Sequence, residues 1–207
     1  MAAKARRGAA HAPRGAVRII AGAWRSRRLA FPASEGLRPT PDRVRETVFN
    51  WLASRLPGAA CLDLFAGSGA FGFEALSRGA ARVVLVEKRL EVAAALRHNR
   101  EQLKAGQAEI VHADAVEFLR GPAAAFDIVF LDPPYASGLL GPCMQLLEVH
   151  GWLKPDALVY LEAPQGEVLP LPETWRLVRS KTAGQVGYHL ATRTRPVADE
   201  PDFQQPV

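Results

Sequence analysis

Two stretches of this 207-residue chain combine residue types and spacings that can do chemistry. In FDIVFLDPPYA, residues 126 to 136, an apolar strand runs into Asp132, Pro133, Pro134 and Tyr135. Neither proline carries an N–H, so the bend offers acceptors without competing donors: the Asp132 carboxylate and a peptide carbonyl, that of Pro133. Such a corner suits an NH2 group. The exocyclic amine of a nucleobase has its lone pair delocalised into the ring, and two acceptors gripping its N–H bonds can turn the nitrogen toward an electrophilic carbon. The gain would come from positioning and desolvation rather than from a strong base. Tyr135 is placed to stack on the base, an interaction contributing ~1–3 kcal/mol, and the base must be extruded or already unpaired. Asp-Pro by itself is also an ordinary turn signal.

The second stretch, DLFAGSGAFG (63 to 72), contains GxGxxG at Gly67, Gly69 and Gly72, with Glu87 lying 20 residues beyond Gly67. A strand before and a helix after make this a nucleotide-type loop, in which missing side chains let a nucleoside cofactor approach the backbone. A nicotinamide dinucleotide fits the pattern. The acids favour another cofactor. Asp63 opens the loop, Glu87 ends the next strand and Asp114 follows the third. Three carboxylates at successive strand ends repel a pyrophosphate but attract the sulfonium and α-amino groups of S-adenosylmethionine. Taken singly, each acid reads equally well as a helix cap or a solvated loop residue.

These residues need a frame, and the pattern supplies one. Apolar runs at 61–65, 82–87, 108–113, 126–132 and 157–163 alternate with helical patterns at 70–78, 89–104, 114–120 and 138–149. Strands alternating with helices predict an α/β fold with a mostly parallel sheet covered on both faces. WRLVRSK and QVGYHLATR, separated by TAG, add an antiparallel C-terminal pair and make seven strands. In such a sheet ligands collect at the carboxyl ends of the strands. Ahead of it, VRIIAGAWRSRRLAFP predicts a small hairpin with arginines on its loop or outer face. Next, GLRPTPDRVRETVFNWLASRL predicts a helix with Thr40 as N-cap, Pro41 in the first position and Asp42 in the first turn. Val44, Val48, Trp51, Leu52 and Leu56 form its apolar face, and Pro57 and Gly58 end it.

Composition bounds the function classes. The net charge is +5, yet residues 1–45 alone carry 11 Lys and Arg against Glu35 and Asp42, a balance of +9 that leaves −4 for the rest. A basic segment on a mildly acidic body suggests a polyanion docked at one end. No apolar run approaches a membrane span and none follows the basic N-terminus as a signal would, so a cytoplasmic, non-membrane protein is expected. Cys61 and Cys143 have neither metal-ligand nor disulfide-framework spacing, and His98, His112, His150 and His189 show no ligand spacing, so no metal is expected. Trp51, Trp152 and Trp175 read as core. Trp24 suits either stacking on RNA or packing the hairpin onto the domain. Domain bounds follow: 1–16 a basic tail unable to order itself, 17–57 a hairpin-and-helix extension, 58–193 the catalytic domain, and 194–207 a frayed polar tail.

DLFAGSG followed by DPPY resembles the class I methyltransferases, Rossmann-like enzymes that modify amino groups of nucleic-acid bases. Read in order, RIIAGAWRSRRL, GLRPTPDRVRETVFNWL, DLFAGSGAFGFEALSRGA, FDIVFLDPPY and GWLKPDALVYLE resemble the RsmD family of 16S ribosomal RNA guanine-N2 methyltransferases over about residues 17 to 193. The resemblance implies transfer of one methyl group to a hairpin-loop guanine in the head of the small ribosomal subunit, naked, assembling or assembled, by a monomer. It implies a cofactor site for S-adenosylmethionine made of Asp63, Phe65, Ala66, Gly67, Ser68, Gly69, Glu87, Lys88, Asp114, Ala115 and Asp132. The amine pocket would be Asp132 to Tyr135. Arg18, Arg25, Arg27, Arg28, Arg38, Thr40, Arg43 and Arg45 become candidate RNA contacts, arginine's fork matching phosphate geometry. Three alternatives stay open: an amino-methyltransferase for another RNA or for DNA (adenine N6 or cytosine N4), a nicotinamide-dependent oxidoreductase, and a non-catalytic RNA-binding module on an old cofactor fold.

Overall fold

The computed structural model describes residues 15–32, 40–134 and 137–194. Of the expected tails at 1–16 and 194–207, residues 1–14 and 195–207 lie outside the described residues, as do Arg38 and Tyr135. A two-stranded antiparallel ribbon, β1 (Gly15–Arg18) with β2 (Arg28–Phe31), leads into α1 (Asp42–Leu52). Gly15 and Ala16, expected in the tail, are already paired in β1. There follow β3 (Ala60–Asp63), α2 (Ala70–Ser77), β4 (Arg82–Glu87), α3 (Leu90–Leu103), β5 (Ala108–His112), α4 (Ala115–Arg120), β6 (Phe126–Leu131), α5 (Leu140–Val149), β7 (Leu153–Pro164), β8 (Trp175–Ala183) and β9 (Val186–Arg193).

The seven-stranded sheet has the order β5-β4-β3-β6-β7-β9-β8, parallel from β5 to β7 and antiparallel at both β9 pairings. Its central strands are short apolar runs because both faces are covered. On one face, α1, α2, α3 and the hairpin share a core with Cys61, Val83, Leu85, Ile128, Phe130 and Tyr160. On the other, α4 and α5 pack with Leu62, Val84, Val129, Leu131, Trp152 and Trp175. From β3 the chain builds outward through β4 to β5, then returns to place β6 on the other side of β3. That reversal opens a crevice at the carboxyl ends of β3 and β6, where a doubly wound sheet binds its ligand.

The N-terminal extension is joined to this body by a buried polar cluster. Glu74, fully buried on α2, accepts the N–H of Ile20 at 2.7 Å and of Ala21 at 3.0 Å, and the Arg78 Nε at 2.7 Å. Ser77 Oγ accepts from Trp24 N–H and donates to the Ala21 carbonyl, while Asn99 makes two bonds to the Ala30 backbone. Trp24 packs half-buried against the first core.

Arg45 corrects one sequence expectation. Instead of facing RNA it is completely buried: it donates to the Asp42 carboxylate (2.6 Å), the Arg18 carbonyl (2.8 Å) and the Thr40 carbonyl (3.2 Å), with Nη1 3.6 Å from Glu74. The start of α1 also differs. Pro41 caps it, its carbonyl accepting from Val44 and Arg45, and Thr40 makes no capping bond because its hydroxyl is used elsewhere. Expected to reach Leu56, the regular helix stops at Leu52. Of the tryptophans expected in the core, Trp152 and Trp175 are buried, whereas Trp51 is half-buried and stacked on Tyr188.

Replacing Glu74 by alanine removes one of the two carboxylates that face the buried Arg45 guanidinium, frees Arg78 and releases two hairpin N–H groups. Urea unfolding should show a loss of ~3–5 kcal/mol, as for other broken buried ion pairs. A loss below about 1 kcal/mol would mean the cluster does not hold the extension.

Candidate active site

Side chains alternate across a strand, so residues two apart share a face. Asp63 follows Cys61, Glu87 follows Leu85 and Asp132 follows Phe130, all on the α1–α2 face, and Glu162 follows Tyr160 on β7. In spatial order β4, β3, β6, β7, four adjacent strands therefore carry an acid at the carboxyl end of the same face, with strands ~4.8 Å apart. Three of the four, Asp63, Glu87 and Glu162, are buried, and Asp132 is half-buried.

Within the glycine loop the acids first serve the fold. Asp63 Oδ2 accepts the Gly72 N–H at 2.9 Å. Glu87 accepts the Gly67 N–H at 3.0 Å on one oxygen and the Arg89 N–H at 2.8 Å on the other, with Arg89 Nε 3.4 Å away. Together they clamp the loop from below. The glycine spacing also has a partly internal cause. A Cβ on Gly72 would lie 2.8 Å from Leu85 and 3.2 Å from Asp63 Oδ2, and one on Gly69, whose φ is +77°, would lie 2.7 Å from Leu96 and Phe73. These two glycines let α2 seat on the sheet, an internal requirement that stands beside the expected approach of a ligand. Ala66 and Ser68 are buried in the loop, Phe65 and Gly67 partly so.

The Asp132–Pro134 corner leaves β6 beside this loop. Burial pushes the Asp132 carboxyl well above the ordinary carboxylate range, and the nearby Glu162 and Asp63 push it further, while a hydrogen bond with Thr40 offsets part of the rise. Glu162 Oε1 accepts from Thr40 Oγ1 at 3.0 Å and from Tyr160 OH at 2.5 Å. Thr40, expected to cap α1 or meet RNA, thus bridges the two acids. Beside the corner a pocket of about 240 Å³ is walled by Pro133, Pro134, Pro142, Pro164 and Pro170, with Glu162 and Glu167 as its acids. Glu162, absent from the sequence-level site, is a functional candidate revealed by the fold. Its signal was available: like the other three acids, it ends an apolar strand.

Asp114 lies on the other side of the loop. It caps α4 through Val116 N–H (2.9 Å) and Glu117 N–H (3.4 Å) and pairs with exposed Lys88 at 3.0 Å, and the lysine holds its carboxyl below the usual range. Ala115 is buried as the first residue of α4. Arg18, Arg25, Arg27, Arg28 and Arg43 are exposed, with Arg18 paired to Asp42 at 3.1 Å and Arg27 bonded to the Gln102 carbonyl. Among the described residues no group of three or more His, Cys, Asp or Glu is placed to hold a metal ion. Cys61 and Cys143 are buried, and burial pushes their thiols up, that of Cys143 to about 12, so neither is poised as a nucleophile. No helix among the described residues is long and apolar enough to cross a membrane.

Comparison with known proteins converges on one family. The family model described as "Conserved hypothetical protein 95" matches residues 17–192. Ribosomal RNA small subunit methyltransferase D of Escherichia coli is 50% identical over 184 residues, covering 88% of this chain and 93% of that protein. The Haemophilus influenzae protein of the same name is 48% identical over 181 residues, covering 86% and 94%. The solved structure of yhhF from Escherichia coli matches with a TM-score of 0.82 at 49% identity, covering 88% of this chain and 100% of that one.

The acid row makes a pH prediction. The buried Asp63 carboxyl, raised mainly by burial and further by Glu87, takes up its proton at about 7 instead of 3.8. The folded chain therefore holds that proton more tightly than the unfolded chain, and this contribution to stability falls as pH rises from about 4 to 7, then levels off. Asp63→Asn keeps an acceptor for Gly72 and removes the charge. Urea melts should show the variant with a flatter stability profile between pH 4 and 7 and more stable than the parent at pH 8. Parallel profiles would contradict a strained Asp63.

Proposed function

The chain belongs to the RsmD family, the family of ribosomal RNA small subunit methyltransferase D, and on that premise we propose that it methylates the exocyclic N2 amine of a hairpin-loop guanine in 16S ribosomal RNA. The observation that carries this reading is the acceptor-only corner at the end of β6, with a second carboxylate, Glu162, on the neighbouring strand. Asp132 and the Pro133 carbonyl accept the two N–H bonds of the amine and fix its plane. As the nitrogen gains a methyl group it gives up a proton, and Asp132, whose protonation range is already raised, takes it on its carboxylate. Tyr135, next in sequence and outside the described residues, would stack on the extruded base.

S-adenosylmethionine is the donor we assign; when bound, it supplies an electrophilic methyl group next to a positive charge. The chemistry of the donor set fits it, since buried acids of which Asp63 and Asp132 are raised above the ordinary carboxylate range favour a cationic ligand over a pyrophosphate. Asp63, Glu87 and Asp114 with the 65–69 loop, Lys88 and Ala115 would hold it. Arg18, Arg25, Arg27, Arg28, Arg43 and, outside the described residues, Arg38 would contact phosphates. Arg45 is withdrawn from that set because it is buried.

Guanine is favoured over adenine or cytosine by the paired acids. Its Watson–Crick edge sets an N1–H donor beside the N2 amine, whereas adenine and cytosine set a ring acceptor beside theirs. With Asp132 on the amine, Glu162 is placed to accept from N1–H, and it would repel a ring acceptor.

The test uses tritiated S-adenosylmethionine, with small subunits lacking the modification and with RNA carrying guanine or 2-aminopurine at the target. The parent should label guanine and discriminate against 2-aminopurine by on the order of 10² or more. Glu162→Gln, whose amide can donate to the ring acceptor, should narrow that gap. Asp132→Ala should lose at least ~10³ in kcat with donor affinity nearly unchanged. Equal use of both bases by the parent would exclude the guanine reading, and substantial turnover by Asp132→Ala would remove the corner from the reaction.

A further inference from the structure

Cross-strand register carries the face of the acid row beyond Glu162. Glu162 lies opposite Tyr188 on β9, and Tyr188 lies opposite Lys181 on the edge strand β8. Directly opposed residues share a face, so Lys181 stands two strand spacings, about 10 Å, from Glu162 on the same side of the sheet. There the β8–β9 turn and the first turns of α1 enclose a groove of about 500 Å³ lined by Arg43, Val44, Thr47, Lys181, Thr182 and Tyr188, among others. Tyr188 forms a rigid floor: it is buried and stacked on Trp51, ring centroids 5.5 Å apart at 22°. The rim is exposed and cationic. Neither Arg43 nor Lys181 has an acid within ion-pair distance among the described residues, whereas at the opposite end of the row Lys88 is held by Asp114 and Arg89 by Glu87. Beyond Lys181, Arg179 shares its face on β8.

We propose that this groove is a phosphate subsite for the RNA strand flanking the target base, with Arg43 and Lys181 as its charged contacts and Thr47 and Thr182 beside them. The inference rests on the reading that the Asp132–Glu162 pocket takes an extruded base. Within about 10 Å the surface changes from acceptor-only acids to cations with no ion-pair partner among the described residues. A nucleotide has the matching layout, a donor-bearing base edge joined to an anionic backbone. An acidic protein segment does not, because following the groove inward would bring it onto the carboxylates. The β8–β9 turn thereby adds a second electrostatic contact to the arginine hairpin, on the far side of the site from the glycine loop. Two contacts flanking the pocket would hold the backbone on both sides of one nucleotide.

The experiment measures kcat, KM and RNA affinity against salt for the full chain, Arg43→Gln/Lys181→Gln and the control Arg82→Gln. Arg82 is exposed at the opposite end of β4 and paired with Glu109. The probes are small subunits lacking the modification and the corresponding protein-free RNA. The double variant should raise KM and Kd for both probes by about tenfold at moderate salt and flatten the log–log salt slope by about 1.4, two single-strand phosphate contacts. Donor affinity and kcat at saturation should stay unchanged, and the control should match the parent. An unchanged salt slope would overturn the subsite. So would an effect seen only with assembled subunits, which would assign the groove to a protein of the particle. A fall in kcat at unchanged slope would likewise overturn it. If all variants bind RNA as expected but the parent transfers no methyl group, the proposed function fails while the groove stands.

Discussion

Four carboxylates held on one face at the ends of four adjacent strands repel one another, and the architecture around the crevice works against that repulsion. Each has local support: Asp63 the Gly72 N–H, Glu87 the Gly67 N–H and Arg89, Asp132 the Thr40 hydroxyl, and Glu162 the Thr40 and Tyr160 hydroxyls. The support is incomplete. Burial still drives Asp63 and Asp132 to hold protons far above the ordinary carboxylate range. A site that keeps acids in this condition gives up stability that a cationic ligand and an amine can return. Family membership then places the chain among methyltransferases and weighs against the oxidoreductase alternative that the glycine loop alone left open.

The same constraint explains why the N-terminal extension is fused to the catalytic sheet. Thr40, at the entry to α1, reaches Glu162 across 122 residues of sequence. Glu74, one turn into the helix that follows the glycine loop, holds the hairpin backbone and faces Arg45 of α1. The basic hairpin, the entry to α1 at Thr40 and the helix that follows the glycine loop are therefore one mechanical unit. An RNA contact on the hairpin is rigidly referenced to the acid row.

Much of this was legible from residue order. The apolar runs marked all five central strands because a sheet covered on both faces demands them, and Asp132-Pro133-Pro134 declared itself because two missing donors in succession have few structural uses. What sequence could not show was distance. Arg45 looked like its basic neighbours, since a letter carries no burial, and only the fold brought it beneath the hairpin. Thr40 had the local signature of a helix cap, yet a tertiary partner took its hydroxyl. Gly69 and Gly72 fitted a ligand-clearing motif, and only the fold adds the packing of Leu96, Phe73 and Leu85 against them as a second reason for glycine. Glu162 closes the GWLKPDALVYLE stretch and ends an apolar run like the other three acids, but its place beside Asp132 shows only once β7 lies against β6.

The central claim is that the acid row is desolvated and that Asp63 and Asp132 hold protons which a cation would displace, and proton release on donor binding reads this directly. Calorimetric titration of the full chain with S-adenosylmethionine at pH 7, in buffers of differing ionisation enthalpy, should show about one proton released per donor bound. S-adenosylhomocysteine, which lacks the positive sulfur, should release fewer. Binding of both compounds with no buffer dependence would contradict the account, because the carboxylates would then be ionised and satisfied before any ligand arrived.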